Sequence, residues 1–123
     1  MALYEYKGRI RRVIDGDTLE IEADLGFHIT KTIRVRLAGI NAPEVRGDER
    51  EAGRASKAAL EEFLLAGEAV RPVFGYPCIL HTFKGRSFGR WVASVHVMPD
   101  PNGEPVSVAD WMVENGHAEV SER

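Results

Sequence analysis

Two stretches of strict alternation constrain the fold more than any other feature of the sequence. Leu19, Ile21 and Ala23 alternate with Glu20, Glu22 and Asp24, and further on Ile33, Val35 and Leu37 alternate with Arg34 and Arg36. A period of two places apolar residues on one face of a strand and charged residues on the other, so each stretch reads as a strand with one buried side. Tyr4 to Val13 reads as a strand before them. Ile14-Asp15-Gly16-Asp17-Thr18 supplies an Asp-Gly turn, a common hairpin signal, between the first two. Three strands therefore precede any helix.

From Glu51 to Ala66 the period changes. Ala52, Ala55, Ala59, Phe63 and Ala66 recur at three or four residues, and Gly67 follows as a stop, which describes an amphipathic helix. Ala69 to Tyr76 and Trp91 to Met98 read as two further strands, the first interrupted by Pro72 and so placed at an edge or irregular. Met98 to Pro105 is a turn. Ser107 with Asp110 three residues on resembles a capped start, and Asn115-Gly116 an end, for a short helix over Val108 to Asn115. The expected fold is mostly β with helices: a five-stranded OB-fold barrel with a helix between strands 3 and 4 and a short C-terminal helix.

A chain of 123 residues with no internal repeat or linker is expected to be one domain over 1–123, and Cys78, its single cysteine, cannot form an internal disulfide. No unbroken apolar run exceeds four residues, as in Phe63 to Ala66, which excludes a membrane-spanning helix. Met1 to Ile10 carries Glu5, Lys7 and Arg9 and builds no secretory signal, so the expected location is intracellular, and the expected state a monomer.

The net charge of -3 is unevenly placed. Arg71, Lys84, Arg86 and Arg90 lie in the acid-free stretch from Arg71 to Met98, whereas Pro99 to Arg123 holds six acids against one base. A basic patch for phosphate, with the acids on the far side, is one reading. Ordinary variation among solvated faces is the other.

Three clusters hold the chemistry-bearing residues. Asp15-Gly16-Asp17-Thr18 offers hard carboxylate oxygens to a cation, or simply makes a hairpin turn whose acids bond nearby amides. Arg36 through Asn41-Ala42-Pro43-Glu44 sets a guanidinium, suited to two phosphate oxygens, a few residues before a carboxylate suited to taking a proton from water. An exposed strand arginine and a turn acid would look the same. Lys84-Gly85-Arg86-Ser87-Phe88-Gly89-Arg90 is a basic, glycine-containing loop leading into Trp91, with Lys84 and Arg86 as candidate substrate contacts. The four histidines lack the spacing of a zinc site, Cys78 reads as a small buried residue, and Trp91 and Trp111 read as core.

In this order, Ile14-Asp15-Gly16-Asp17-Thr18, Arg36-Leu37 through Asn41-Ala42-Pro43-Glu44, and Phe88-Gly89-Arg90 closely resemble the motifs of the staphylococcal-nuclease-like (thermonuclease) family. Asn115-Gly116-His117-Ala118 resembles that family's closing segment. The resemblance spans Val13 to Val120. It implies a Ca²⁺-dependent nuclease that acts on single-stranded or double-stranded DNA and RNA and leaves 3′-phosphates. It implies Asp17 as metal ligand, Asp15 and Thr18 as supporting residues, and Arg36 on the scissile phosphate. Glu44 would orient or deprotonate the attacking water, and Arg90 would stabilise the transition state.

Asn41 stands where the family has a second aspartate ligand. Its amide oxygen still suits a cation, but one anionic charge is missing, so weaker Ca²⁺ binding, or a turn towards Mg²⁺ or Mn²⁺, is expected. Ala42 would contribute only its backbone carbonyl. The segment Tyr76 to Phe83 departs from the family's pattern. A reading of another class stands beside the enzyme: an OB module that keeps the architecture but binds nucleic acid or protein without cleaving.

Overall fold

The computed structural model describes residues 4–65, 76–87, 90–98 and 103–121. The elements run β1 (Glu5–Asp15), β2 (Thr18–Asp24), β3 (Thr30–Leu37), β4 (Ile40–Asn41), a 3₁₀ turn (Gly47–Glu49), α1 (Arg50–Leu65), β5 (Tyr76–Ser87), β6 (Arg90–Val97), β7 (Val106–Ser107), α2 (Val108–Glu114) and β8 (Glu119–Val120). The sheet order is β3-β2-β1-β5-β6-β7. A parallel pairing of Val35–Leu37 in β3 with Trp91–Ala93 in β6 closes β1, β2, β3, β5 and β6 into a five-stranded barrel.

Closure follows from the shape of β1. Its first half, Glu5 to Ile10, pairs with β5, while the pairing with β2 runs on to Asp15 across two register shifts, between Ile10 and Arg12 and between Val13 and Asp15. Such bulges bend a strand and sharpen its twist, which lets one strand serve two sides of a barrel.

The alternating residues fill the interior. Leu19, Ile21, Val35, Leu37, Leu80 and Val95 are fully buried, joined by Leu60 of α1 and by Val108 and Met112 of α2. Truncating one of these leucines to alanine would cost about 2–5 kcal/mol in lost transfer energy and cavity. Phe63 of α1 stacks on Trp111 of α2 with ring centroids 4.1 Å apart, fixing the two helices to each other. Cys78 lies in the same core, where burial pushes its thiol from 9.0 up to about 12, so it is a packing residue rather than a nucleophile.

Both helices begin within a residue of the expected position, and α2 ends within a residue of Asn115. The Ser107 hydroxyl accepts from the Asp110 N–H at 3.2 Å at the start of α2, and Gly116 takes a φ of +77° just past its end.

Of the expected strand Ala69 to Tyr76, all but Tyr76 lies outside the described residues, and the strand observed is Tyr76–Ser87. Its buried Cys78 and Leu80 alternate with the more open Pro77, Ile79 and His81. Pro77 pairs with Arg9 of β1 within the ladder, whereas Gly85 falls in the register shift between Thr82 and Arg86. Residues expected in a loop, Lys84 to Ser87, thus belong to a strand that pairs with β6 through Arg86↔Trp91 and Ser87↔Arg90.

Candidate active site

The β1–β2 turn, the end of β3 and the segment after β4 meet at one end of the barrel. Register starts it: Thr18 pairs with Arg36, and the Leu37 N–H donates to the Asp17 carbonyl at 2.8 Å, so the turn sits against the end of β3. The Asp17 side chain is 9% exposed. Its Oδ1 accepts from the Thr18 hydroxyl at 3.0 Å, and its Oδ2 accepts from the Ala42 N–H at 2.9 Å. Asp15 Oδ1 accepts from the Val45 N–H at 3.3 Å. Both acids of the turn therefore bind backbone amides of the Ala42–Val45 segment, and the exposed Glu44 lies between those two anchors.

Arg36 joins the same group. Its Nη2 donates to Asn41 Oδ1 at 3.1 Å and lies 3.6 Å from Asp17 Oδ2. The guanidinium is 13% exposed, so its attraction to the Asp17 carboxylate is only partly screened by water. Asp15, Asp17, Thr18, Arg36, Asn41, Ala42 and Glu44 are thus brought to one place.

The basic loop is described only in its backbone. Arg90 opens β6, one residue before Trp91 pairs with Val35 and two before Val92 pairs with Arg36, so the parallel register sets its backbone level with Arg34 of β3. Lys84 and Arg86 lie on β5. The side chains of these three residues, and all of Phe88 and Gly89, lie outside the described residues.

Two glycines missed as site residues shape this corner. A Cβ on Gly53, inside α1, would come 1.9 Å from the Glu44 carbonyl oxygen, so the helix backbone presses directly on the Glu44 segment. A Cβ on Gly16 would come 2.0 Å from Ser56 Oγ. Gly16 is not among the glycines with positive φ, so it serves this close approach rather than the left-handed turn that the Asp-Gly pair suggests. Ser56 is buried and donates to the His117 carbonyl at 2.8 Å, tying α1 to the C-terminal segment. The signal for Gly53 was its place inside a helical pattern, where glycine is unfavourable without a packing reason.

The C-terminal segment also reaches this corner. Asn41 pairs with Glu119 and Ile40 with Val120, and the Ser121 N–H donates to the Gly39 carbonyl at 2.8 Å. The acids of the C-terminal quarter are therefore not all on the far side from the candidate site, because β8 carries Glu119 to its edge.

Among the described residues no three His, Cys, Asp or Glu side chains gather as a metal cage. The Asp17 carboxylate, the Asn41 amide oxygen and the Ala42 carbonyl are nevertheless all hard oxygen donors, which match Ca²⁺ or Mg²⁺ in kind with one full negative charge among them. Asp17 and Asn41 at present share the Arg36 guanidinium.

No family profile matches the chain, so the staphylococcal-nuclease-like resemblance rests on the motifs themselves. The chain is similar to a protein of Escherichia coli O157:H7 named "Uncharacterized endonuclease", with 33% identity over 116 residues, 94% of this chain and 61% of that protein. A protein of Escherichia coli with the same name matches to the same extent. The chain spans about three fifths of the length of these relatives (61% in each). Among the described residues no helix is long and apolar enough to cross a membrane.

Proposed function

We propose that the chain is a Ca²⁺-dependent nuclease that hydrolyses phosphodiester bonds of DNA or RNA and leaves 3′-phosphates. The observation that carries this reading is the Asp17–Arg36–Asn41 group, with the Glu44 segment held beside it by hydrogen bonds from the Ala42 N–H to Asp17 and from the Val45 N–H to Asp15. The name of the Escherichia coli relatives supports nucleic-acid cleavage in general. The choice of cation and of the bond broken is supported by the family resemblance.

A phosphodiester carries a negative charge that repels an incoming hydroxide, so positive groups fixed in advance lower the barrier most when they bind the transition state more strongly than the substrate. Arg36 supplies such a charge. Its guanidinium has five N–H donors, and donors not used on Asn41 can meet phosphate oxygens. Glu44, exposed at the rim, takes a proton from the attacking water. The water oxygen then bonds to phosphorus, and the bond from phosphorus to the 5′ oxygen breaks. Arg90 stabilises the charge on the phosphoryl group and on the leaving 5′ oxygen, which takes a proton from solvent water to become a 5′-hydroxyl while Glu44 returns its proton to solvent. Asp17, Asn41 and the Ala42 carbonyl would hold the cation, which supplies Lewis-acid polarisation of a phosphoryl oxygen.

Titration of Ca²⁺, Mg²⁺ and Mn²⁺ into chelator-treated protein with an end-labelled oligonucleotide tests the reading. Cleavage that requires the cation and leaves 3′-phosphate ends is expected; 5′-phosphate ends would contradict the assigned bond. A second reading, binding without cleavage, draws on one specific observation: Asn41 contributes no charge, and its amide oxygen is bonded to Arg36. That reading expects a retained oligonucleotide and no product with any of the three cations.

A further inference from the structure

The hairpin between β2 and β3 has features that hydrolysis does not use. Gly26, Phe27 and His28 have φ of 83°, 55° and 61°, and the Ile29 N–H donates to the Gly26 carbonyl at 2.9 Å. The Leu25 N–H donates to the Ile29 carbonyl at 2.9 Å, and Asp24 Oδ1 accepts from the Gly26 N–H at 2.8 Å, so the tip is locked. Positions with two successive left-handed residues favour Asn-Gly, and an aromatic there is strained. Packing does not repay that strain, since Phe27 is 95% exposed and is flanked by Leu25 at 43% and Ile29 at 55%.

The charge beside the tip selects its occupant. From Leu25 to Pro43 the sequence holds Lys31, Arg34 and Arg36 and no acid. Thr30, Thr32, Arg34 and Arg36 alternate onto the outward face of β3. Of the facing carboxylates of β2, Glu22 is engaged by Arg11 of β1 at 3.1 Å and Glu20 by Arg12 of β1 at 3.2 Å, while Asp24, opposite Thr30, accepts from the Gly26 N–H. The pairing of β3 with β6 covers only Val35–Leu37, so Thr30–Arg34 is a sheet edge among the described residues. Arg36 and Arg34 thus lie in line on the outward face, followed by Thr32 and Thr30, with the aromatic tip about 20 Å from Arg36. That length matches about six nucleotides of stacked strand.

We propose that Phe27 stacks on a base of a single-stranded nucleic acid, remote from the cleavage site, while Arg34 on the outward face of β3 meets a phosphate in between. The proposal rests on the nucleic-acid reading above. Every base has a π face, so such a contact adds affinity for longer strands without sequence preference. An apolar tip beside basic residues also suits an anionic bilayer, but a bilayer would not account for Arg34 and Arg36 in line on the outward face.

The test is fluorescence anisotropy of labelled single strands of about four and about twelve nucleotides in excess chelator, with the wild-type chain, Phe27→Asn and Phe27→Trp. Asparagine tolerates the left-handed region, so Phe27→Asn should keep or raise Tm while removing the ring. The preference of wild type for the longer strand should fall about 5- to 100-fold in Phe27→Asn. It should persist in Phe27→Trp, whose added emission is quenched by the longer strand alone. An unchanged preference in Phe27→Asn overturns the proposal, as does loss of binding to anionic vesicles in that variant with strand binding intact. Wild type that binds neither strand would overturn the nucleic-acid reading itself.

Discussion

Asn41 sets how much negative charge the candidate site offers a cation. Its Oδ1 holds Arg36 as a neutral acceptor, and the adjacent Asp17 carboxylate already serves Thr18, Ala42 and, at longer range, the same guanidinium. A unit charge pair 4 Å apart near a protein surface is worth about 4 kcal/mol, part of which Arg36 would absorb as an ion pair with a new carboxylate. Asn41→Asp should therefore raise Ca²⁺ affinity at least about tenfold, which needs only about 1.4 kcal/mol of that sum. Calorimetric titration without substrate checks this, and an unchanged isotherm would mean that Asn41 does not face the cation. Asp17, Arg36 and Asn41 lie together as their order in the sequence suggests, for a physical reason. They are polar groups whose chemistry is carried by the residue type, so a motif in the right order finds them. Gly53 carries no functional group, and only its distance to the Glu44 carbonyl reveals what it does.

The element that decides where Glu44 sits is α1. In most exposed helix interiors Gly→Ala gains about 1 kcal/mol from propensity. At Gly53 the new Cβ would sit 1.9 Å from the Glu44 oxygen and 2.6 Å from the Val45 nitrogen, both backbone atoms that cannot rotate away. The cost of overpacking, about 1–3 kcal/mol, offsets or exceeds the propensity gain. Gly53→Ala should lower Tm or leave it level, and reduce cleavage at least tenfold by shifting the segment that carries Glu44. A variant with raised Tm and full activity would show that the helix does not set the Glu44 position. The elements themselves differed in legibility. Period and capping residues located α1 and α2, since Ser107, Asp110 and Gly116 act through local backbone bonds. The strand β5 was obscured because Pro77, Gly85 and the basic residues signal loops locally, whereas its ladder is set by its neighbours β1 and β6. The two-residue pairing of β4 with β8 joins positions far apart in sequence and has no local signal at all.

For the whole molecule, the net charge of -3 opposes a polyanion only on average. The barrel sets Arg36 at one end, runs Arg34 along an edge, and ties Glu20 and Glu22 to β1. One side therefore suits phosphate even in an acidic chain. This barrel end is proposed to hydrolyse phosphodiesters with Glu44 as the base. Comparing wild type with Glu44→Gln on a labelled single-stranded oligonucleotide, with Ca²⁺ titrated from excess chelator, tests it most directly. Cation-dependent cleavage that falls about 10²- to 10⁴-fold in the variant, with oligonucleotide affinity nearly unchanged, is the predicted result. Equal turnover in the two proteins would contradict the assignment of the base, and a folded wild type that cleaves with no divalent cation present would contradict the role given to the cation.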